Sequence, residues 1–542
     1  MLNRPVAREL QTELEPELLR AVPLNLCMSG WAKHFVPPDP GMFKVDHSNY
    51  DLSRQTEYYD EFLSHDWETS RWYKLCTMLM IYNSRAAFFC SLVVSIAVGI
   101  LRATKILPDG LWIQLSVFAV FPLVLCFWQR IRIMFARPLV VFLDKLCIAQ
   151  HDEELKQKGI FGLAGFLDHS RQLTIFWSHR YFSRLWCTYE VGTFLRAKKQ
   201  KPILVIPVKL AVILCLFFVA ELVIMVGYFM LSNLKLESTV NDVEELFSFF
   251  LLFSLFYMPC LPLLFYLGIG MMSDLKELPQ QLRKFRVQDA KCFCCSHKHR
   301  HPDTGEVLPC DRELMFQMLQ KWFGKAGDLK EEHLEVFNRL VHEDLAPRVL
   351  RSVGSDALPF NYSIYMVVVN TLPGLCTLIP TLVAGPPDSF NRFNILQHSI
   401  WASREIMNWL FAGVVVLYAL RLSMRGWLIA VTLLPHCPRH NRVICSILMP
   451  VLMSVMLATQ WFSFQLALSH SEQDSLFPAI PFIAWLLVLF CFWSWGAPST
   501  SSTAGNSFAA EPPIFKEEVL SSIDVDGNNR KTDDDSASTF ST

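Results

Sequence analysis

Eight nearly uncharged apolar stretches set the terms for this chain: residues 86–101, 111–128, 210–231, 246–272, 364–384, 406–420, 443–468 and 477–495. A helix needs about 20 such residues to cross the hydrocarbon of a bilayer, and most of the eight reach that length. Only helices and closed barrels satisfy every backbone polar group in lipid, so runs of this kind read as helices. The first and sixth are shorter and need flanking residues or local thinning to span. Hydrophobic residues make up 52% of the chain, more than a soluble domain normally carries. The expected fold class is a multi-pass α-helical membrane protein of about eight spans.

Lysine and arginine set the orientation, because cytoplasmic loops are enriched in them. With the N-terminus in the cytosol, Arg102, Lys105, Lys235, Arg392 and Arg404 fall outside, along with the acidic connectors 237–245 and 472–474. Arg130, Arg132, Lys198, Lys199, Arg283, Lys284, Arg421, Arg425, Arg439 and Arg442 then fall inside, and both termini are cytosolic. Residues 1–25 are charged and lack an apolar core, so no cleavable signal is expected. A net charge of −1 and the absence of a basic patch argue against a nucleic-acid partner. The 16 cysteines lie partly in the spans, where Cys acts as a small hydrophobe. The rest fall in segments assigned to the cytosol, where thiols stay reduced.

Residues 1–56 are polar and punctuated by proline, and read as a loosely ordered cytosolic lead-in. A short strand follows at 58–63. The first two spans then form a hairpin, and the chain returns with 138–143, a continuous apolar run typical of a buried parallel strand. Residues 152–167 place Leu155, Ile160, Leu163, Ala164 and Leu167 towards one helical face. A strand at 173–177, a helix at 184–196 and a strand at 202–208 complete the series, with Pro202 tolerated at a first strand position. Alternating strands and helices make a parallel sheet with right-handed crossovers. An even number of spans inserted after the first strand returns the chain to the same side. The expected organisation is an α/β domain of residues 57–80 and 129–209, interrupted by the membrane hairpin 81–128. Spans three and four occupy 210–272, a cytosolic helical module with Cys and His occupies 273–360, and spans five to eight occupy 361–496. The tail 497–542, rich in Ser, Thr, Asp and Asn, reads as disordered.

Two motifs stand at the ends of strand-like runs: Phe62-Leu63-Ser64-His65-Asp66-Trp67, and Ser183-Arg184-Leu185-Trp186-Cys187-Thr188-Tyr189-Glu190, which follows Ser178. Together they resemble the signature boxes of a Toll/interleukin-1 receptor (TIR) domain, over residues 58–75 and 138–208. The resemblance implies a flavodoxin-like parallel sheet with its first strand between the second and third. In such sheets ligands bind at the carboxyl ends of the strands, where the order reverses. Ser64, His65, Asp66 and Ser178 sit at those ends and, with Trp186, are the expected cofactor-binding residues. Enzymatic members of the family cleave the N-glycosidic bond of NAD, and their essential glutamate lies in the W-C-x-x-E helix. Carried over, the catalytic residue is Glu190, on one helical face with Trp186. Loss of nicotinamide develops oxocarbenium charge on the ribose, which a carboxylate stabilises. Asp144, Gln150 and Asp152 occupy the loop that overhangs the cleft in the family and mediates self-association. The implied partners are other TIR-like domains and further copies of this chain. Adaptors without activity keep the same boxes, with Trp and Cys packing the helix onto the sheet and the glutamate merely solvated. The family's fifth strand has no counterpart, because Lys209 leads straight into the run 210–231.

Cys292, Cys294, Cys295, His297, His299, His301 and Cys310 crowd into one segment. Thiolate sulfur and imidazole nitrogen are the donors of four-coordinate zinc. The expected ligands of a structural zinc are Cys292, Cys294, Cys295, His297 and Cys310, with a reduced His-rich loop as the alternative. No H-E-x-x-H accompanies them, so catalytic zinc is not expected. Glu221 falls mid-span, and an ionisable residue at that depth is a functional candidate. The alternative is a protonated carboxyl bonded to Asn370, Gln460 or Gln465 on another span. Phosphate-binding glycine loops and nucleophile elbows are absent. Three readings stay open: a membrane-anchored TIR-like signalling protein that cleaves NAD, a non-enzymatic membrane scaffold, and a channel or transporter regulated by its cytosolic domain.

Overall fold

In the computed structural model, the short apolar runs of the N-terminal half pair into a mixed sheet of order β2-β1-β4-β3-β5-β6. The strands are β1 (Arg20–Pro23), β2 (Arg54–Gln55), β3 (Tyr59–His65), β4 (Val140–Phe142), β5 (Ser170–Trp177) and β6 (Ile203–Pro207). β3 lies between β4 and β5, and these pairings, like that of β5 with β6, are parallel. β1 runs antiparallel to β4, and β2 antiparallel to β1. The structure describes residues 14–36, 47–196, 201–234, 242–300, 305, 307–308, 310–324, 331–353, 371–386, 394–433 and 439–494. The expected disordered tail, His301 and Asn370 lie outside the described residues.

Most of the remainder is helical: α1 (Arg71–Ala103), α2 (Leu111–Arg132), α3 (Glu153–Phe161), α4 (Leu163–Asp168), α5 (Leu185–Arg196), α6 (Val208–Leu234), α7 (Asp242–Arg283), α8 (Asp311–Phe323), α9 (Glu332–Leu340), α10 (Leu375–Ala384), α11 (Ile395–Leu433), α12 (Arg439–His470) and α13 (Ala479–Ser494). Four described helices are long and apolar enough to cross a membrane: Arg71–Ala103, Trp112–Arg132, Ile395–Leu433 and Asn441–His470. These point to a membrane protein.

Two of those helices, α1 and α2, intervene between β3 and β4, which nevertheless pair in parallel. A polar clamp joins them. Gln129 donates to Asn83 Oδ1 at 2.8 Å, and Asn83 donates to the Leu125 carbonyl at 2.7 Å. Further along α1, Ala87, Ser91, Ser95 and Gly99 recur every fourth residue and are buried. Small residues at that spacing let helices approach closely in lipid. A Cβ on Gly99 would lie 2.8 Å from Ile379 Cδ1 and 3.0 Å from the Leu375 carbonyl oxygen of α10.

The lead-in and the helix over 152–167 differ from expectation, while the missing fifth strand agrees with it. Described parts of the lead-in join the sheet as β1 and β2, with Ala21, Val22 and Leu24 buried. Where a fifth parallel strand would pair with β6, the chain enters α6 at Val208, so the sheet grows on the β4 side instead. The single helix expected over 152–167 breaks at Gly162, where an added Cβ would sit 2.3 Å from Leu14 Cδ2.

Arg404, placed outside by the charge reading, is buried on α11 and closes the end of α12. It donates to the carbonyls of Leu468 at 2.7 Å, Glu472 at 2.9 Å and Ser475 at 2.9 Å, and to Ser471 Oγ at 2.7 Å. Terminal helix carbonyls have no partners within their own helix. Arg404→Ala should therefore cost about 2–4 kcal/mol, read as a lower thermal midpoint of the detergent-solubilised protein. Arg404→Lys should recover only part of it, because an ammonium cannot span the same fork of acceptors. Elsewhere, Glu221 is buried on α6. Gln465 donates to Asn408 at 3.3 Å, and the buried Gln460 amide has no hydrogen-bonding partner among the described residues.

Candidate functional site

Successive side chains on a strand point to opposite faces, and the carboxyl end of β3 uses that alternation to separate two environments. Ser64 is buried and faces α5, where its hydroxyl donates to Glu190 Oε2 at 2.5 Å. With its one proton engaged there, Ser64 accepts from the fully buried Tyr181 hydroxyl. Burial pushes the Tyr181 phenol well above its ordinary pKa, so it stays a donor. Glu190 keeps a partly exposed edge. Removal from water pushes its carboxyl up to about 8, the Ser64 bond pulls the other way, and the nearby Asp144 adds to the rise. A carboxyl so placed is mostly protonated at pH 7 and ionises with a small change in surroundings.

Asp144 opens a short helical turn, Asp144–Cys147, directly after β4. It accepts the Trp67 indole N–H at 3.0 Å, and burial holds its pKa up. Lys74 is fully buried, its Nζ has no hydrogen-bonding partner among the described residues, and it lies 5.6 Å and 5.4 Å from the ring centroids of Phe35 and Trp67. Asp66 and Asp144 are its acidic neighbours.

The other expected cleft residues are distributed differently. Asp66 has a fully buried carboxylate that accepts from the Glu68 amide at 3.2 Å, Thr69 Oγ1 at 3.3 Å, Ser178 Oγ at 3.4 Å and Arg180 Nη2 at 3.3 Å. It ties the turn after β3 to the turn after β5, and its acceptor sites are in use. Ser178 therefore joins Asp66, with no bond to Glu190. His65 lies on the opposite face, its ring 5.0 Å from Phe35 and 4.6 Å from Trp67. Burial, and secondarily the Lys74 charge, hold its pKa well below the ordinary histidine value, so it is neutral. Asp152 accepts from the Glu154 and Leu155 amides and caps α3.

Trp186 turns away from the site. Its indole donates to Asp311 Oδ2 at 3.2 Å at the start of α8, and Tyr189 stacks on Trp322 at 5.6 Å. Side chains four apart on a helix are separated by a full turn, about 6 Å along the axis. In α5 that is enough for Glu190 to meet β3 while Trp186 meets α8. Gly192 allows the same helix to approach α9: an added Cβ would fall 2.0 Å from Phe337 Cε2. Tyr181 and Lys74 escaped the sequence reading. Their only signals were an aromatic just past the Ser178 turn and a lone lysine one turn into an apolar helix.

In the Cys/His segment, Cys294, Cys295, His299 and Cys310 bring one ligand atom each to within 4.8 Å of one another. This differs from the expected set in two positions. Cys292 Sγ lies 3.4 Å from Cys294 Sγ but is not one of the four. The exposed His297 donates from Nδ1 to the Phe293 carbonyl at 3.0 Å. Left-handed backbone at Lys298 and His299, with φ of 54° and 56°, folds His299 back, and its amide donates to the Cys294 carbonyl at 2.8 Å. Spacing alone could not choose between the two histidines. No family model matches this chain, and no curated protein or solved structure matches it.

Proposed function

We propose that this is a multi-pass membrane protein of about eight spans with both termini in the cytosol. Its α/β unit acts as a TIR-like domain that associates with other TIR-like domains, including copies of itself, and cleaves the N-glycosidic bond of NAD at Glu190. The observation that carries the reading is the Ser64–Glu190 bond of 2.5 Å at the carboxyl end of β3, the strand at which the sheet order reverses. A bound pyridinium ribose brings positive charge to Glu190 and favours its ionised form. As the bond from C1′ to nitrogen breaks, its electron pair leaves with neutral nicotinamide, and the Glu190 carboxylate stabilises the cation left on the ribose. Water adds at C1′, giving ADP-ribose and releasing one proton.

If ionised Glu190 is the working form, kcat/KM for nicotinamide release rises with unit slope and levels above pH about 8. Ser64→Ala removes the bond that favours the anion and should move that limb upward by about one unit. A flat profile, or a limb that Ser64→Ala leaves in place, would remove Glu190 from the mechanism. The second reading is a non-enzymatic scaffold, favoured by the saturated Asp66 and by the buried Tyr181 beneath Ser64. It predicts no release at any pH.

A further inference from the structure

We propose that Cys294, Cys295, His299 and Cys310 bind one Zn²⁺, and that this metal holds the start of the helix carrying Glu190 in place. The metal site is independent of the NAD reading. Three thiolates and one imidazole are a closed structural donor set for tetrahedral zinc. At Zn–S distances near 2.3 Å, tetrahedral ligand atoms lie about 3.8 Å apart. Cys295 and Cys310 already stand 3.9 Å apart, and all four ligand atoms lie within 4.8 Å of one another, so the cage needs only a slight contraction. The Asp311 amide, first in α8, donates to Cys294 Sγ at 3.3 Å, and partial positive charge at a helix N-terminus suits a thiolate.

The described part of the segment 291–310 has little regular structure: one turn, Phe293–Ser296, and isolated bridges from Lys291 to Arg184 and from Arg300 to Val307. Such a loop is held by its ligands, and metal binding then contributes directly to folding. Its attachments lead to α5. Lys291 donates to the Ser183 carbonyl at 2.7 Å and accepts from the Leu185 amide at 2.9 Å. Leu185 is the first residue of α5, so the loop satisfies an amide the helix cannot satisfy itself. Asp311 makes the second link, with its amide on Cys294 and its carboxylate on the Trp186 indole. Releasing the ligands loosens both grips on α5.

The test uses the full-length protein in nanodiscs, with zinc content by elemental analysis, Co²⁺ substitution and amide hydrogen exchange. One equivalent of zinc is expected, and Co²⁺ loading should give the visible ligand-field bands of a tetrahedral thiolate-rich site. His299→Ala and Cys310→Ser should lose the metal, while His297→Ala and Cys292→Ser should keep it. Chelation should speed exchange at Leu185 and its neighbours by about tenfold or more, with β3 and β5 unchanged. A protein that takes up no metal, or that holds Cys295 and Cys310 as a disulfide, overturns the site. Metal retained equally by all four variants also overturns it. Chelation that removes the metal and leaves α5 exchange untouched overturns the bracing. The Co²⁺ spectrum needs no substitution, so a variant that fails to fold does not decide the matter.

Discussion

Glu190→Gln should cut nicotinamide release by about 10²–10³-fold and at the same time stabilise the protein at alkaline pH. The glutamine oxygen still accepts the Ser64 proton, so the local packing is kept. The folded carboxyl has a pKa raised from 4.5 to about 8. Between those values the folded state holds a proton that the unfolded chain has lost. The contribution of Glu190 to stability is therefore complete below about pH 4.5 and is lost as pH rises through about 8. Glutamine does not titrate and escapes that loss. Allowing for the exposed edge of Glu190, the variant should gain about 1–3 kcal/mol over wild type at pH 9, read from thermal midpoints across pH 6–9. Lost activity with gained stability is the pattern of a group kept under strain for function. A variant that stays active, with the pH dependence of wild type, would contradict both halves.

Asp66→Ala should destabilise the α/β unit by about 2–4 kcal/mol. It leaves the Glu68 amide and the Thr69 and Ser178 hydroxyls without their shared acceptor, and it unties the turns after β3 and β5. Arg180 is half-exposed and can turn to water, which limits the loss. Asp66→Asn should fall between, because one amide face donates where Ser178 and Arg180 also donate. Denaturant unfolding of the two variants checks this. If Asp66 instead contacted ligand directly, the alanine variant would keep its stability and raise KM.

The strands were legible because each is a short apolar run between polar turns: 58–63, 138–143, 173–177 and 202–208 coincide closely with β3 to β6. The long helices were legible from length and lack of charge. β1 was not, because a four-residue strand in a polar lead-in buries only Ala21 and Val22 and shows no period. The Ala87–Ser91–Ser95–Gly99 stripe was hidden inside a run read only for its apolarity. At the site, Ser64 and Glu190 came together from motif position and strand ends. Asp66 and Ser178 did not join them, because a carboxylate beside several donors organises its own turn first. The partner of Trp186 lies more than a hundred residues away in sequence, on α8, and no local spacing announces it. The exchange of His297 for His299 was decided by backbone dihedrals, to which residue spacing is blind.

Glu190, at the end of β3, is proposed to cleave NAD. The most direct test is nicotinamide release by the purified full-length protein in nanodiscs, with and without induced clustering, beside Glu190→Gln. Release by wild type should increase on clustering, and the variant should lose that release while its thermal midpoint is kept or raised. No release by folded wild-type protein in either state, or equal release by the variant, would contradict that role for Glu190.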